Sequence, residues 1–326
     1  MPLSLWAEQM TDSEIESALP LLARLGLGLG LALPAERVGD PSFAALTRRL
    51  ATAGIPARIW PLLPEAQGYW IGESNVDAAR ELFEALLAWR RHTGGPAFDA
   101  LSVDLEPDLE YSEALRKTAR RRPDLALGML RAHVRPTQHV KARAVLARAV
   151  ARLGREGVYT HAVTYPMVLD QKLGDSTLED ALSLVVTGVE WDEVSFMVYQ
   201  TPFAQLLGTW LGPALVSSYA VSAVERFGDR AGIDVGIVGD HGVGLDPGAR
   251  YAEPAALEAD LAAALAAGIP LERTRVYGLA GALEAGGLQR WFSTEPRAHA
   301  PRPSRTVAGF RNLVTGLATG LRLGSR

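Results

Sequence analysis

Short apolar runs alternate along this chain with longer amphipathic stretches. Eight of the runs read as strands: Leu3–Trp6, Gly26–Leu33, Ala57–Leu63, Ala100–Glu106, Tyr159–Tyr165, Val194–Gln200, Asp234–Asp240 and Arg275–Leu279. Between them the apolar period lengthens to that of a helix. Ile15, Ala18, Leu19 and Leu22 follow at i, i+3, i+4 and i+7, after Ser13-Glu14-Ile15-Glu16, which offers a capping box. Val76, Ala79, Leu82, Phe83, Leu86 and Leu87 form one stripe that Asn75 is expected to cap. Further helices are expected over 110–122, closed by Pro123, and over 137–153, 177–186, 204–227 and 254–267, the last stopped by Gly268.

Strands separated by helices imply parallel pairing through right-handed crossovers. Eight such units predict a closed (β/α)₈ TIM barrel, an α/β fold, as a single domain over residues 1–292. An open doubly wound sheet is the alternative, but no G-x-G-x-x-G turn follows the first strand. The glycines of Gly26-Leu27-Gly28-Leu29-Gly30 alternate with leucine, which suits thinning of a barrel strand better than cradling a phosphate. Residues 293–326 form a basic C-terminal extension, with Arg297, Arg302, Arg305, Arg311, Arg322 and Arg326 against the single acid Glu295. Within it Val307–Leu323 could form a basic amphipathic helix; the expectation is a C-terminal helix packed on the barrel base or a frayed tail, with membrane-surface binding as the alternative.

Composition narrows the function classes. The 326 residues carry 33 Lys+Arg against 37 Asp+Glu, a net charge of −4, which disfavours a nucleic-acid partner. With no cysteine, disulfide scaffolds, zinc–thiolate sites and cysteine nucleophiles are excluded. No apolar run reaches the ~18–20 residues of a membrane span, and no basic n-region precedes the first apolar stretch. The expectation is a cytoplasmic protein without a transmembrane segment.

The most informative segment is Phe98-Asp99-Ala100-Leu101-Ser102-Val103-Asp104-Leu105-Glu106. Alternate strand residues face opposite sides, so Leu101, Val103 and Leu105 suit the surrounding helices while Ser102, Asp104 and Glu106 face the barrel interior. Two acids at the C-terminal end of a barrel strand stand where such folds keep their active sites. Their backbones lie about 7 Å apart, close enough for like-charge repulsion and desolvation to hold a proton on one of them. A carboxyl kept protonated near neutrality is what a glycosidase needs to protonate a leaving oxygen. The structural alternative is an acid pair neutralised by a barrel cation such as Arg58.

This strand resembles the F-D-G-x-D-x-D-x-E strand of glycoside hydrolase family 18, the chitinases and their non-catalytic relatives, with Asp99, Asp104 and Glu106 in register. Phe196-Met197-Val198-Tyr199-Gln200 is similar to that family's M-x-Y-D, and Val235-Gly236-Ile237-Val238-Gly239 to its glycine-bearing seventh strand. The resemblance implies a (β/α)₈ barrel and hydrolysis of an N-acetylhexosamine-containing glycan with help from the substrate acetamide. Glu106 would be the proton donor, Asp104 the orienting carboxylate and Tyr199 the acetamide's hydrogen-bond partner. Asp99, Ser102, Met197 and Gln200 would line or tune the same site. Ser102 stands where the family has its middle Asp and Gln200 where it has Asp. The third strand lacks S-x-G-G, and Val276-Tyr277-Gly278-Leu279-Ala280 lacks the family's Trp.

Trp60, Tyr69 and Trp70, around the third strand and its loop, offer aromatic faces for a sugar, with Tyr165, Trp6 and Glu8 close by and Asp240 after the seventh strand. A carbohydrate ligand and no cofactor are therefore expected. Two alternatives remain open: a non-catalytic carbohydrate-binding barrel, and a metal-dependent sugar isomerase or epimerase with ligands among Glu106, His161, Asp240 and His241. His133 and His139 lie in a basic stretch and read as surface residues.

Overall fold

The computed structural model describes residues 3–207, 209–239, 248 and 250–324. Eight parallel strands pair in sequence order and the last returns to the first, closing a single-domain (β/α)₈ barrel. They are β1 (Ser4–Ala7), β2 (Gly28–Pro34), β3 (Ala57–Leu62), β4 (Ala100–Leu105), β5 (Tyr159–Thr164), β6 (Glu193–Met197), β7 (Ala231–Gly236) and β8 (Thr274–Tyr277). Around and above them lie α1 (Asp12–Leu25), α2 (Pro41–Thr52), α3 (Val76–Arg91), α4 (Leu109–Arg121), α5 (Pro123–His133), α6 (Pro136–Arg155) and α7 (Thr177–Ala181). The chain continues through α8 (Gln200–Leu207), α9 (Pro213–Phe227), α10 (Pro254–Ala266), α11 (Leu279–Glu284), α12 (Leu288–Phe292) and α13 (Arg305–Gly324).

Alternation governs what each strand contributes. Leu29, Leu31, Leu101, Val103, Phe196 and Val276 face outward and are fully buried under the helices. The opposite faces fill the barrel with polar and aromatic groups. Gly28 and Gly30 of β2 make room for β1: a Cβ on Gly30 would stand 2.3 Å from Cε3 of Trp6. The thinned strand lets the indole cross the barrel, where its Nε1 donates to Asp234 at 2.8 Å.

Several local expectations shift. The N-cap of α1 is Thr11, not Ser13; its hydroxyl accepts from the Glu14 amide and the Glu14 carboxylate returns to the Thr11 amide. Gly26 belongs to the end of α1 in a left-handed conformation, so the strand begins at Gly28. Asn75 precedes α3 without capping it. Its side chain instead closes the loop, donating to the carbonyls of Gln67 and Trp70 and accepting from the Gly72 amide. Pro123 ends one helix and opens another, α5, because an N1 proline needs no amide partner.

The expected helix over 177–186 stops at Ala181, where Glu179 turns its carboxylate onto the amides of Val186 and Thr187. The helix expected over 204–227 divides at Gly212, whose φ of 67° no following proline-led helix can continue. β7 begins three residues before the expected Asp234, because Gly232 and Gly236 interrupt its apolar pattern without breaking its pairing. β6 ends at Met197, and Gln200 opens α8.

The C-terminal helix α13 docks neither on the barrel base nor on a membrane-like free face. It packs against α7, α9 and the 3₁₀ turn Pro166–Asp170 that follows β5, at the C-terminal end of the strands. Arg311 fastens it, with Nε donating to Asp170 at 2.7 Å and the guanidinium 4.4 Å from the Tyr219 ring centroid. Among the described residues no helix is long and apolar enough to cross a membrane.

Gly30→Ala should cost about 1–3 kcal/mol, the usual penalty of overpacking, because the indole of Trp6 must move and strain its bond to Asp234. A urea midpoint and tryptophan emission equal to wild type would refute this role for the glycine.

Candidate functional site

At the floor of the barrel lies an ion cluster. Glu193 of β6 accepts from Arg58 of β3 at 2.9 Å and pairs with Arg275 of β8. All three are buried. Arg58 is thus held by Glu193 and does not neutralise Asp104 or Glu106. One layer higher, Asp234 accepts from Trp6 and Ser195, and Ser102 Oγ lies 2.8 Å from His161 Nδ1. Burial and the two arginines push the His161 pKa far down, so the ring is neutral. Ser102 and His161 are both wholly buried, in the barrel interior beneath the acids.

Above this layer opens a cavity of about 330 Å³ at the C-terminal ends of the strands. Glu8, Asp104 and Glu106 reach it, surrounded by Trp6, Trp60, Trp70, Val163, Tyr165, Met197, Tyr199 and Tyr277. The Trp6 and Trp60 rings meet edge to face at 5.1 Å, and Tyr199 stands 6.0 Å from Tyr277. The outer wall comes from α4, with Ser112, Leu115, Arg116, Ala119 and Arg120, and from Pro202 and Phe203 of α8. β3 and β4 diverge toward this end. Ile71 fills the gap, pairing with Leu105 and donating its amide to Asp104 O at 3.0 Å. That insertion seats Trp70 on the cavity wall and Tyr69 against it.

Each acid has a distinct environment. Glu8 accepts from the hydroxyls of Tyr69, at 2.6 Å, and Tyr277. Glu106 accepts from Tyr165 at 2.6 Å, and its carboxyl also bonds that of Asp104. Asp104 Oδ1 has no hydrogen-bond partner among the described residues. Burial, then the charges of Glu106 and Glu8, push Asp104 well above the usual carboxylate range. Burial also raises Glu106, against the opposing hydrogen bond from Tyr165, to about 7. The pair therefore retains a proton near neutrality in a largely apolar cavity.

The sequence candidates separate clearly by place. Asp104, Glu106, Tyr165, Met197, Tyr199, Trp60 and Trp70 converge on the cavity, while Tyr69 backs it through Glu8. Three others do not. Asp99 is exposed at the N-terminal end of β4, and at about 3.3 Å per residue it lies roughly 16 Å from Asp104. Ser102 faces inward but beneath the cavity, against His161. Gln200 is buried away from it, its amide donating to Asp260 of α10. Asp240 and His241 lie outside the described residues. Tyr277 was missed, although the parity of β8, with Arg275 inward, marks it as an inward residue.

With this geometry in view, the comparisons with known proteins bear on the fold. The chain matches no protein-family model, and no curated protein is similar to it in sequence. Its structure is similar to the PgaB (BpsB) glycoside hydrolase domain from Bordetella bronchiseptica, with a TM-score of 0.54 at 14% identity over 90% of this chain and 99% of that one. It is also similar to the endo-beta-1,4-mannanase from Thermotoga petrophila (TM-score 0.52, 10% identity, 100% of this chain and 77% of that one). A beta-glucosidase from Thermotoga maritima gives 0.51 at 13% identity over 82% and 77% of the two chains. These neighbours are glycoside hydrolases built on TIM barrels. At such identities the likeness shows the barrel, and chemistry must be argued from the site itself.

A carboxyl whose pKa is raised on folding stabilises the fold below its ordinary value and loses that contribution as pH rises through the folded one. For Glu106 the step from 4.5 to about 7 corresponds to about 3 kcal/mol. Denaturant unfolding followed from pH 4.5 to 8 should show wild type losing about that much relative to Glu106→Gln. Parallel pH–stability curves for the two proteins would show that the acid is not held protonated.

Proposed function

We propose that this chain is a glycoside hydrolase acting on an N-acetylhexosamine-containing glycan by substrate-assisted acid/base catalysis. The observation that carries this reading is the proton-sharing Asp104–Glu106 pair, set in an aromatic cavity with one Asp104 oxygen left without a partner. Flat indole and phenol faces suit the C–H faces of a pyranose. The cavity volume is at the small end of the ~300–1,000 Å³ of ligand sites, which suits one sugar unit with its acetamide. The glycoside hydrolase neighbours share the barrel on which this site is built.

In this mechanism Glu106 donates its proton to the glycosidic oxygen as the bond to the anomeric carbon breaks. The acetamide carbonyl oxygen closes on that carbon from the opposite face. Asp104 accepts from the acetamide N–H through its open Oδ1, and the Tyr199 hydroxyl bonds the carbonyl oxygen. Glu106, now ionised, then takes a proton from water as the water opens the cyclic intermediate, giving net retention. Burial and the nearby acids hold the Tyr199 phenol far above its ordinary pKa, so it remains a donor throughout.

On a chromogenic N-acetylglucosaminide or a chito-oligosaccharide, Glu106→Gln should lower kcat by about 10²–10⁴-fold, the usual worth of a positioned proton donor. The ligand's binding, followed by calorimetry, should persist. The rate should fall as pH rises through about 7. Asp104→Asn and Tyr199→Phe should lower kcat while leaving hydrolysis of non-acetamido glucosides at background. Unchanged turnover in Glu106→Gln would overturn the mechanism. Binding of these sugars without product release would select the non-catalytic barrel.

A further inference from the structure

A second cluster of ligand-type side chains lies outside the cavity. Glu73 stands on the loop between β3 and α3, His139 on α6 and Asp180 on α7, and one ligand-type atom from each lies within 4.8 Å of the other two. They are 5, 2 and 2% exposed, so the expectation that His139 is a surface residue is wrong: α6 turns it inward onto Glu73. Its Nδ1 is in direct contact with Glu73 Oε1, and its buried Nε2 has no hydrogen-bond partner among the described residues.

The cluster sets two acids against one imidazole, with the positive charges of His133 and Arg135 also acting on Asp180. The Arg135 amide donates to Asp180 at 2.8 Å. A dication would neutralise both acids and displace the imidazole proton. A set of one imidazole nitrogen and two carboxylate oxygens is borderline in hardness and suits Zn²⁺.

We propose that Glu73, His139 and Asp180 bind a Zn²⁺ ion, with water completing its coordination, in a site separate from the sugar cavity. Two of the three ligands come from segments that border that cavity, the loop after β3 and the end of α7 beside Leu182. The Glu73 loop also carries Tyr69 and Trp70. Its Gly72 lies so close to the strand end that an added Cβ would stand 3.0 Å from Glu106 O and 2.8 Å from Ser183 O. Asp180 holds the start of α6 through Arg135, and Tyr111 of α4 donates to Ala181 O at 3.1 Å. The ion thus braces the cavity wall and takes no part in the reaction.

The test uses the untagged full chain, dialysed against EDTA, then against ZnCl₂, and desalted before elemental analysis. One equivalent of zinc and a Tm higher than that of the metal-free protein are expected. His139→Gln and Asp180→Asn should retain less than about a tenth of that zinc and lose the Tm response. Asparagine at 180 keeps an acceptor for the Arg135 amide, which guards against simple misfolding. Wild type that takes up no zinc and shows no Tm change would overturn the proposal and leave a proton-sharing triad. Variants that bind zinc as wild type does would place the metal elsewhere and overturn it equally.

Discussion

Glu193 decides the electrostatics of this barrel. It sits on the axis with both interior arginines, Arg58 and Arg275, against its two oxygens. Desolvating an ion costs several kcal/mol, and removing one partner of a buried pair leaves the other exposed to that full penalty. The arginines are therefore committed to the floor. With Asp234 near Arg275, the lower half of the interior holds two positive and two negative groups. Glu8, Asp104 and Glu106 lie at the opposite end, where the charge of Arg116 on the α4 wall draws Glu106 down but burial outweighs it. The proton shared by Asp104 and Glu106 follows from that burial.

The same separation explains why an apolar cavity is tolerated above a charged floor. Trp6, reaching across the barrel through the gap left by Gly28 and Gly30, forms the lid of the lower layer and the base of the upper one. Its indole N–H satisfies Asp234 below, and its ring offers carbon surface above. Ile71 does comparable work at the side, filling the divergence of β3 and β4 so that the Trp70 loop closes the wall. Burial behind this wall is what lifts the pKa of Glu106, so the geometry of the wall and the acidity of the pair are one property.

Much of this arrangement was legible in the sequence because period-two alternation is a local signal. It placed Asp104 and Glu106 inward and Leu101, Val103 and Leu105 outward, and the count of eight strands implied closure. What alternation cannot report is depth along the axis or the partner across it. Asp99 matches a family motif by spacing yet lies at the wrong end of β4. Ser102 has the right parity and sits one layer too low. Gln200 missed the cavity because β6 ended three residues early and a helix began there, turning its amide to Asp260. His139 read as a surface group since Arg135, Lys141 and Arg143 make its stretch basic, while its buried face is set by a loop from another part of the chain.

Ser102 meets His161 with a hydroxyl where the family motif that this strand resembles carries an aspartate. An aspartate there would face His161 Nδ1, a ring kept neutral by burial and by the two arginines already paired with Glu193. It would add a fourth acid beside Asp104, close to Asp234, without adding a cation. The interior would then have to take up another proton or draw an arginine away from Glu193. Serine meets the same imidazole nitrogen with a hydroxyl and no charge. Asp104 itself is raised by burial first and then by the charges of Glu106, Glu8 and Asp234, and a serine at 102 leaves all of these influences in place.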